Sequence, residues 1–345
     1  MTDAPAPLVL VTGATGFIGQ HVILQLLEKG YRVRGTMRSL SKADGVRATL
    51  AAHTDRTDAL ECVALDLTSD EGWAEAMEGV EFVQHVASPF PMSQPDDPDD
   101  LVIPARDGAL RALRFALEAG VKRVVLTSSM AAIGYGHGND GKTEYDETDW
   151  APTELVNDHT AYSLSKTVAE KAAWDFMADH QGEMELAVVN PVLVLGPMLG
   201  QDDSASLQVV SGLMNGMFPG YIDFGFGVVD VRDVAALHVL AMETPEAAGE
   251  RFLASSDYMM LREMADAIRT AHPEAAPKLP TRTVPTWLIR IAALVSPQAR
   301  RILPELGRRR RANSAKARRD LGWQPRPGPE AVADAAGDLL RKGLV

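Results

Sequence analysis

Val11-Thr12-Gly13-Ala14-Thr15-Gly16-Phe17-Ile18-Gly19 decides how this chain folds. The stretch follows an apolar run, Leu8-Val9-Leu10-Val11, that reads as a buried strand, and it opens an amphipathic helix over residues 19–29 that Gly30 ends. A tight turn needs Gly13, and backbone can approach a pyrophosphate only where a side chain is missing, as at Gly16. Gly19 lets the helix pack close to the strand, while the helix N-terminus offers N–H groups to phosphate. Thr15, Phe17 and Ile18 complete the expected contact surface of the turn. A glycine triplet alone is weak evidence; its place between a first strand and a first helix gives it weight.

Outward from that turn, strand patterns recur at residues 31–37, 61–65, 81–86, 123–126 and 186–189, with helical patterns at 73–78, 104–119 and 161–180. Alternating strands and helices imply crossover units and an α/β, doubly wound parallel sheet of the Rossmann type. After Asn190-Pro191 the rhythm loosens into Gly- and Pro-rich connections, and residues 228–234 lead into another helix to about 242. The expected organisation is a dinucleotide-binding domain over 1–190 with a return segment near 228–255. A smaller substrate-binding cap takes 191–227 and 256–345.

Composition narrows the partners. The 345 residues carry a formal net charge of −13, with 46% apolar and 23% charged residues. That is the balance of a soluble globular protein, in which non-specific attraction to nucleic acid or an anionic membrane is not expected. The single cysteine, Cys62, allows no intrachain disulfide and no cysteine-rich metal site, and fits a reducing compartment. Residues 1–7 lack the basic start and apolar core of a signal peptide, and no stretch approaches the roughly 20 apolar residues that span a bilayer. The expectation is a cytoplasmic monomer or homodimer acting on a small molecule.

The end of the second strand selects the cofactor. An NAD-preferring site places an acidic residue about 20 residues beyond the glycine turn, for the ribose 2′-hydroxyl. Here Met37 stands there, followed by Arg38, Ser39 and Lys42. A 2′-phosphate would meet two cations and no carboxylate, so NADPH/NADP+ is expected, held by Arg38 and Lys42. The competing reading leaves both as solvated loop charges. Asp66-Leu67, just past a strand, suits the adenine, the competing reading being a helix N-cap, since Thr68-Ser69-Asp70 also lie there. Val86, Ala87 and Ser88 are small enough for a ribose to pass close to the backbone.

Tyr162-Ser163-Leu164-Ser165-Lys166 sets a phenol and an ammonium four residues apart on one helix face. A free tyrosine titrates at about pH 10, too high for proton exchange at neutrality; the ammonium is expected to lower that value, and Lys166 can also reach the nicotinamide ribose. Leu126-Thr127-Ser128-Ser129 ends a strand, where doubly wound sheets present ligands. Either serine could hold a carbonyl oxygen beside the tyrosine or cap a turn, the second reading being favoured for Ser128. Thr127 joins the cofactor-binding set.

Taken together, these segments resemble the extended short-chain dehydrogenases/reductases, and within them the dihydroflavonol-reductase-related aldehyde and ketone reductases. The resemblance is carried by residues 12–19, Arg38-Ser39, His85-Val86-Ala87-Ser88-Pro89-Phe90, Thr127-Ser128-Ser129, Tyr162 to Lys166, and Asn190-Pro191-Val192-Leu193-Val194-Leu195-Gly196-Pro197. It reaches the tail, at Ser314-Ala315-Lys316-Ala317 and Leu321-Gly322-Trp323. It implies an NADPH-dependent carbonyl reductase with Tyr162 as general acid, Lys166 as its electrostatic partner and Ser129 as the carbonyl-binding hydroxyl. Pro191 and Val194 would line the nicotinamide pocket. Two departures matter. The Tyr162–Lys166 segment lacks the cysteine that cinnamoyl-CoA reductases carry there, which argues against a CoA thioester. Asp107-Gly108 stands where some relatives have a relay asparagine.

The main rival is a sugar-nucleotide epimerase or dehydratase with tightly held NAD, which Met37-Arg38 and Ala87-Ser88-Pro89-Phe90 oppose. A non-catalytic dinucleotide-binding regulator is a second, opposed by the intact Tyr162/Lys166 pair. His85, His137, His159 and His238 have no metal-ligand spacing. Arg308-Arg309-Arg310-Arg311 reads as a solvated helix face in so acidic a chain, and Trp287, Leu288, Ile291 and Leu294 as packing in the cap or at a subunit contact. Met92, Tyr221, Phe224, Phe226 and Tyr258 are candidate pocket residues for an apolar, partly aromatic substrate of unspecified identity.

Overall fold

The computed structural model describes residues 6–89, 95, 97–138, 140–154, 156, 159–200, 206–218 and 220–345; Met92 and Phe90, singled out above, lie outside them. Among the described residues twelve strands form, numbered in chain order: β1 Leu8–Thr12, β2 Arg32–Met37, β3 Leu60–Ala64, β4 Val80–His85, β5 Arg123–Thr127, β6 Glu144–Tyr145, β7 Glu185–Pro191, β8 Leu193–Leu195, β9 Gly225–Asp230, β10 Arg251–Ala254, β11 Asp257–Met260 and β12 Arg311–Ala312. Seven make one sheet in the order β10-β7-β5-β4-β1-β2-β3, and every neighbouring pair in it is parallel. The expected doubly wound α/β sheet is therefore present.

Both faces of the sheet are covered, which is why its strands read as continuous apolar runs. In β1, Val9 and Val11 face the core shared with helices Phe17–Glu28 and Val231–Glu243. Leu8 and Leu10 face the opposite core, built with helices Asp99–Glu118 and Ala161–Asp179. Winding reverses between β1 and β4, so a crevice opens at their carboxyl ends. The helix expected from residue 104 begins at Asp99, with Pro104 inside it. Asp99 and Asp100 in its first turn complement the positive helix end, and proline near a helix start removes only one backbone bond.

Beyond β7 the chain builds a second layer. Strands β11-β9-β8 form a three-stranded sheet and β12 pairs with β6. One expectation fails here, and a second loses one of its two alternatives. The arginine run lies not on a helix but in an extended segment leading into β12, where Arg311 pairs with Glu144. The helix Thr286–Ala292 buries only Ile289; Trp287, Leu288, Ile291 and Leu294 are 60%, 41%, 56% and 76% exposed and do not pack in the cap. Their periodicity described an amphipathic helix whose apolar face is exposed among the described residues, as a subunit contact would also require. No described helix is long and apolar enough to cross a membrane.

Candidate active site

The glycine turn is shaped by contacts that leave no room for side chains. Gly13 has φ +76°, and a Cβ there would sit 3.1 Å from the Ala87 Cβ; one on Gly19 would sit 2.2 Å from the Gly13 carbonyl oxygen. A Cβ on Gly16 would meet only that oxygen, at 3.4 Å, leaving the space beyond open. Gly16 is also the N-cap of helix Phe17–Glu28, and no side chain caps it. An uncapped helix end beneath an open glycine is the arrangement a pyrophosphate fits. Thr12 ties the turn to the next loop: its hydroxyl is bonded to His85 Nδ1 at 3.1 Å and accepts from the Ala87 amide at 3.0 Å. Burial lowers the His85 pKa to about 4, so the ring is neutral. Thr15 accepts a bond at its carbonyl from the Gln20 side chain, and Phe17 packs edge-on against His21.

Met37 is buried at the end of β2, while Arg38 and Lys42 are exposed beyond it. Ser39 caps the short turn Leu40–Lys42. Asp66 Oδ1 accepts from the Thr68 amide at 2.8 Å and hydroxyl at 2.7 Å, the turn-capping role. Those bonds hold its carboxyl below the usual range, with Arg38 and Arg111 adding to them. A narrow cleft continues inward past Leu67, His85, Ala87 and Ser88 to Thr127 and Lys166. Val86 forms its bend, donating to the Gln84 carbonyl. Gly108 lines the cleft and would bring a Cβ to 3.5 Å from the Leu67 Cβ. Asp107 beside it pairs with Arg106. Thr127 is turned to His238, its hydroxyl 3.0 Å from Nε2, and His238 is held by Gln84 at 2.9 Å.

A capping box fixes where helix Ala161–Asp179 begins: Ser163 N donates to Thr160 Oγ1 at 3.1 Å, and Ser163 Oγ accepts from the Thr160 amide at 2.8 Å. Tyr162 thereby falls in the first turn, where the helix dipole favours an anion, and Lys166 lies one turn further. The Tyr162 hydroxyl is hydrogen-bonded to Ser129. Burial nevertheless pushes the Tyr162 pKa up, and the Ser129 bond opposes that rise. The expected net lowering is therefore absent here, and the phenol is protonated at neutrality. Lys166 is lowered by burial to about 8, with Glu170 pulling it back up.

The two serines have separate tasks, and not as expected. It is Ser129 that caps the turn, accepting from the Ala131 amide at 3.1 Å, while also reaching Tyr162. Ser128 is buried and donates to Glu170 at 2.5 Å. Glu170, fully enclosed, also accepts from Asn190 Nδ2 at 2.7 Å and lies 2.8 Å from Arg251 Nε. The same Asn190 nitrogen donates to the Ser129 carbonyl at 3.2 Å. Glu170 escaped the sequence reading, although it stands one turn beyond Lys166 on the same face.

Ser129 and Tyr162 form part of the wall of a cavity of about 350 Å³. Pro191, Val192 and Leu193 line it, as do Phe224, Phe226 and Tyr258 among the expected pocket residues. Val194 is buried in the main core instead. Tyr221 is also buried, its hydroxyl accepting from Arg269, and is not among the described lining residues. Tyr135, Arg308 and Arg310 also line it and were not anticipated. The cues for them were the arginine run itself and a tyrosine six residues past Ser129, neither of which local patterning assigns to a site.

Comparison with known proteins agrees with this geometry. The model of the NAD dependent epimerase/dehydratase family matches residues 9–254. A cinnamoyl-CoA reductase from Petunia hybrida is 37% identical over 275 residues, covering 79% of this chain and 80% of its own. A ketoreductase from Aspergillus niger is 35% identical over 296 residues, covering 81% and 87%. The crystal structure of a yeast methylglyoxal/isovaleraldehyde reductase complexed with NADPH superposes with a TM-score of 0.79 at 28% identity, covering 98% of this chain and 100% of that one. The chain belongs to the NAD-dependent epimerase/dehydratase family, within the extended short-chain dehydrogenases/reductases.

Proposed function

We propose that the protein is an NADPH-dependent reductase that converts an aldehyde or ketone to the alcohol. The observation that carries the proposal is the hydrogen-bonded Ser129–Tyr162 pair in the wall of a small-molecule cavity, with Lys166 one helical turn away. Relatives named as reductases and a structural neighbour that holds NADPH support it. The open glycine turn would take the pyrophosphate, Arg38 with Lys42 the 2′-phosphate, and Lys166 the nicotinamide ribose. When bound, NADPH supplies the hydride. Ser129 holds the carbonyl oxygen, and Tyr162, a phenol at neutral pH, gives that oxygen its proton. The phenolate left behind is stabilised by the Lys166 ammonium, the helix end and the Ser129 hydroxyl. Asp107-Gly108 supplies no relay amide at the expected position, so proton return runs by another route.

The test is NADPH oxidation with a panel of aliphatic ketones, aryl ketones, ketoesters and aldehydes. The expected result is steady turnover with at least one class, reduced by about a hundredfold or more in Tyr162→Phe while NADPH binding persists. A Tyr162→Phe protein that keeps most of its kcat removes the assignment.

A further inference from the structure

The net charge of −13 averages over an uneven distribution. From residue 275 to residue 304 the sequence holds Lys278, Arg282, Arg290, Arg300 and Arg301, and not one Asp or Glu. Lys278, Arg282, Arg290 and Arg300 are exposed. Among the described residues no carboxylate forms an ion pair with any of these four. Arg269 before them and Arg309 after them do have partners, in Asp266 and Asp223.

The same stretch carries the helix Thr286–Ala292, which turns its apolar stripe outward. Ile289 is the side chain it buries. Trp287, Ile291 and Leu294 follow the i, i+4, i+7 spacing, on the side of the helix roughly opposite Ile289. Backbone bonds from Ala293 N to the Ile289 carbonyl at 2.9 Å, and from Leu294 N to the Ile291 carbonyl at 3.0 Å, carry the turn as far as Leu294. Val295 beside it is 86% exposed. Arg290 is spaced i+3 from Trp287 and i−4 from Leu294, so it flanks the stripe. Arg300 donates from Nε to the Ala293 carbonyl at 3.3 Å, which sets its guanidinium at the same helix end. Apolar side chains this exposed project from the surface instead of lining a hollow.

We infer that this face docks on an anionic lipid surface, with Trp287, Ile291, Leu294 and Val295 entering the boundary between headgroups and acyl chains. The four cations meet lipid phosphates around them, their aliphatic stems lying along the apolar layer. Charge disfavours a second copy as the occupant, because a two-fold contact would set one cluster of cations against its equivalent. A protein partner would need hollows matched to the projecting side chains, whereas a fluid headgroup layer accepts them without a complementary shape. Attraction of the cations to the lipid acts within a Debye length, and beyond that distance the acidic remainder of the chain is screened.

The probe is flotation with vesicles of phosphatidylcholine, either alone or mixed with phosphatidylglycerol. The parent binds the mixed vesicles about tenfold or more tightly than the neutral ones, and added salt weakens that binding. Arg290→Glu and Leu294→Asp each weaken it by about tenfold or more, while Arg290→Lys retains it. All three variants keep the parent's melting temperature and NADPH affinity, since neither residue is among those lining the cleft or the cavity. Brominated acyl chains quench the tryptophan fluorescence of the bound parent, and Trp287→Leu removes most of that quenching. Equal binding to the two kinds of vesicle, or binding to neither, overturns the inference. An Arg290→Glu protein that binds like the parent does so too. A parent dimer that Leu294→Asp dissociates assigns the face to a second copy, and retention on immobilised polyglutamate without vesicle binding assigns it to an acidic protein. Either result overturns the lipid docking and leaves the reductase reading standing.

Discussion

The narrow cleft at the strand ends and the wide cavity beside it are built from different materials. The cleft, with the glycine turn of Gly13 and Gly16 before it, has many small residues in its wall: Ala87, Ser88, Ala105, Gly108, Ala109 and Ala169. The cavity wall includes long side chains among smaller ones: Tyr135, Phe224, Phe226, Tyr258, Arg308 and Arg310. A site walled by backbone takes its shape from the path of the chain, so one added methyl group alters it. A site walled by side chains can change its occupant residue by residue while the fold stays. The cleft is suited to a ligand that never varies, and the cavity to one that differs between relatives.

The sharpest way to break this contrast is Gly19→Ala, whose methyl would lie 2.2 Å from the Gly13 carbonyl oxygen. It should cost about 3 kcal/mol of stability in denaturant unfolding and abolish NADPH binding. Gly16→Ala, with open space before it, should lose the cofactor at near-parental stability. Equal stabilities for the two variants would show that the turn is not as tightly closed as its geometry implies.

Next in size comes the boundary between cleft and cavity. Ser129→Ala should lower kcat by about a hundredfold. Ser128→Ala should cost under about tenfold in kcat but about 1–3 kcal/mol in stability, because it withdraws a donor from buried Glu170. Reversed kinetic effects would exchange the two roles.

Arg38→Ala probes the proposed 2′-phosphate contact beyond the cleft, where a solvent-facing side chain rather than backbone would do the selecting. NADPH kcat/KM should fall roughly ten- to a hundredfold with that for NADH barely changed. A variant that still prefers NADPH as strongly as the parent places the phosphate elsewhere.

The smallest effect is on the pH profile. Lys166 carries its charge below a pKa of about 8 and loses it above, so kcat/KM should decline on the alkaline side of pH 8. His85, which faces Lys166 from β4, is already neutral there. Glu170 raises the lysine, so Glu170→Gln should move the decline to lower pH. Movement to higher pH would mean that Glu170 acts only through packing.

What the amino-acid order makes legible follows the same division. Gly13, Gly16 and Gly19 announce the first crossover because their constraint is local, and Tyr162 with Lys166 share a face because helical spacing puts them there. Six strands of the main sheet follow from alternation, whereas β10 was not read as a strand. Arg308 and Arg310 were misread because an arginine run has no local meaning. Its role depends on β12 reaching β6, a pairing across more than 160 residues. Glu170 was missed for a related reason: its partners Ser128, Asn190 and Arg251 come from three different strand regions. The turn cap was placed on the wrong serine because capping and contact with the phenol are not exclusive, and Ser129 reaches both Ala131 and Tyr162.

The pairing of β12 with β6 also gives the site a history in time. Ser129, Tyr162 and the whole glycine turn precede Pro191, whereas Arg308 and Arg310 are added about 120 residues later. At roughly 5–20 residues per second, that interval lasts roughly 6–24 s of synthesis. Throughout it the growing chain holds the residues for hydride chemistry without the far wall of the cavity. Arg308 and Arg310 are the last of the cavity's lining residues to be made, and helices Ala315–Leu321 and Gly328–Arg341 follow them.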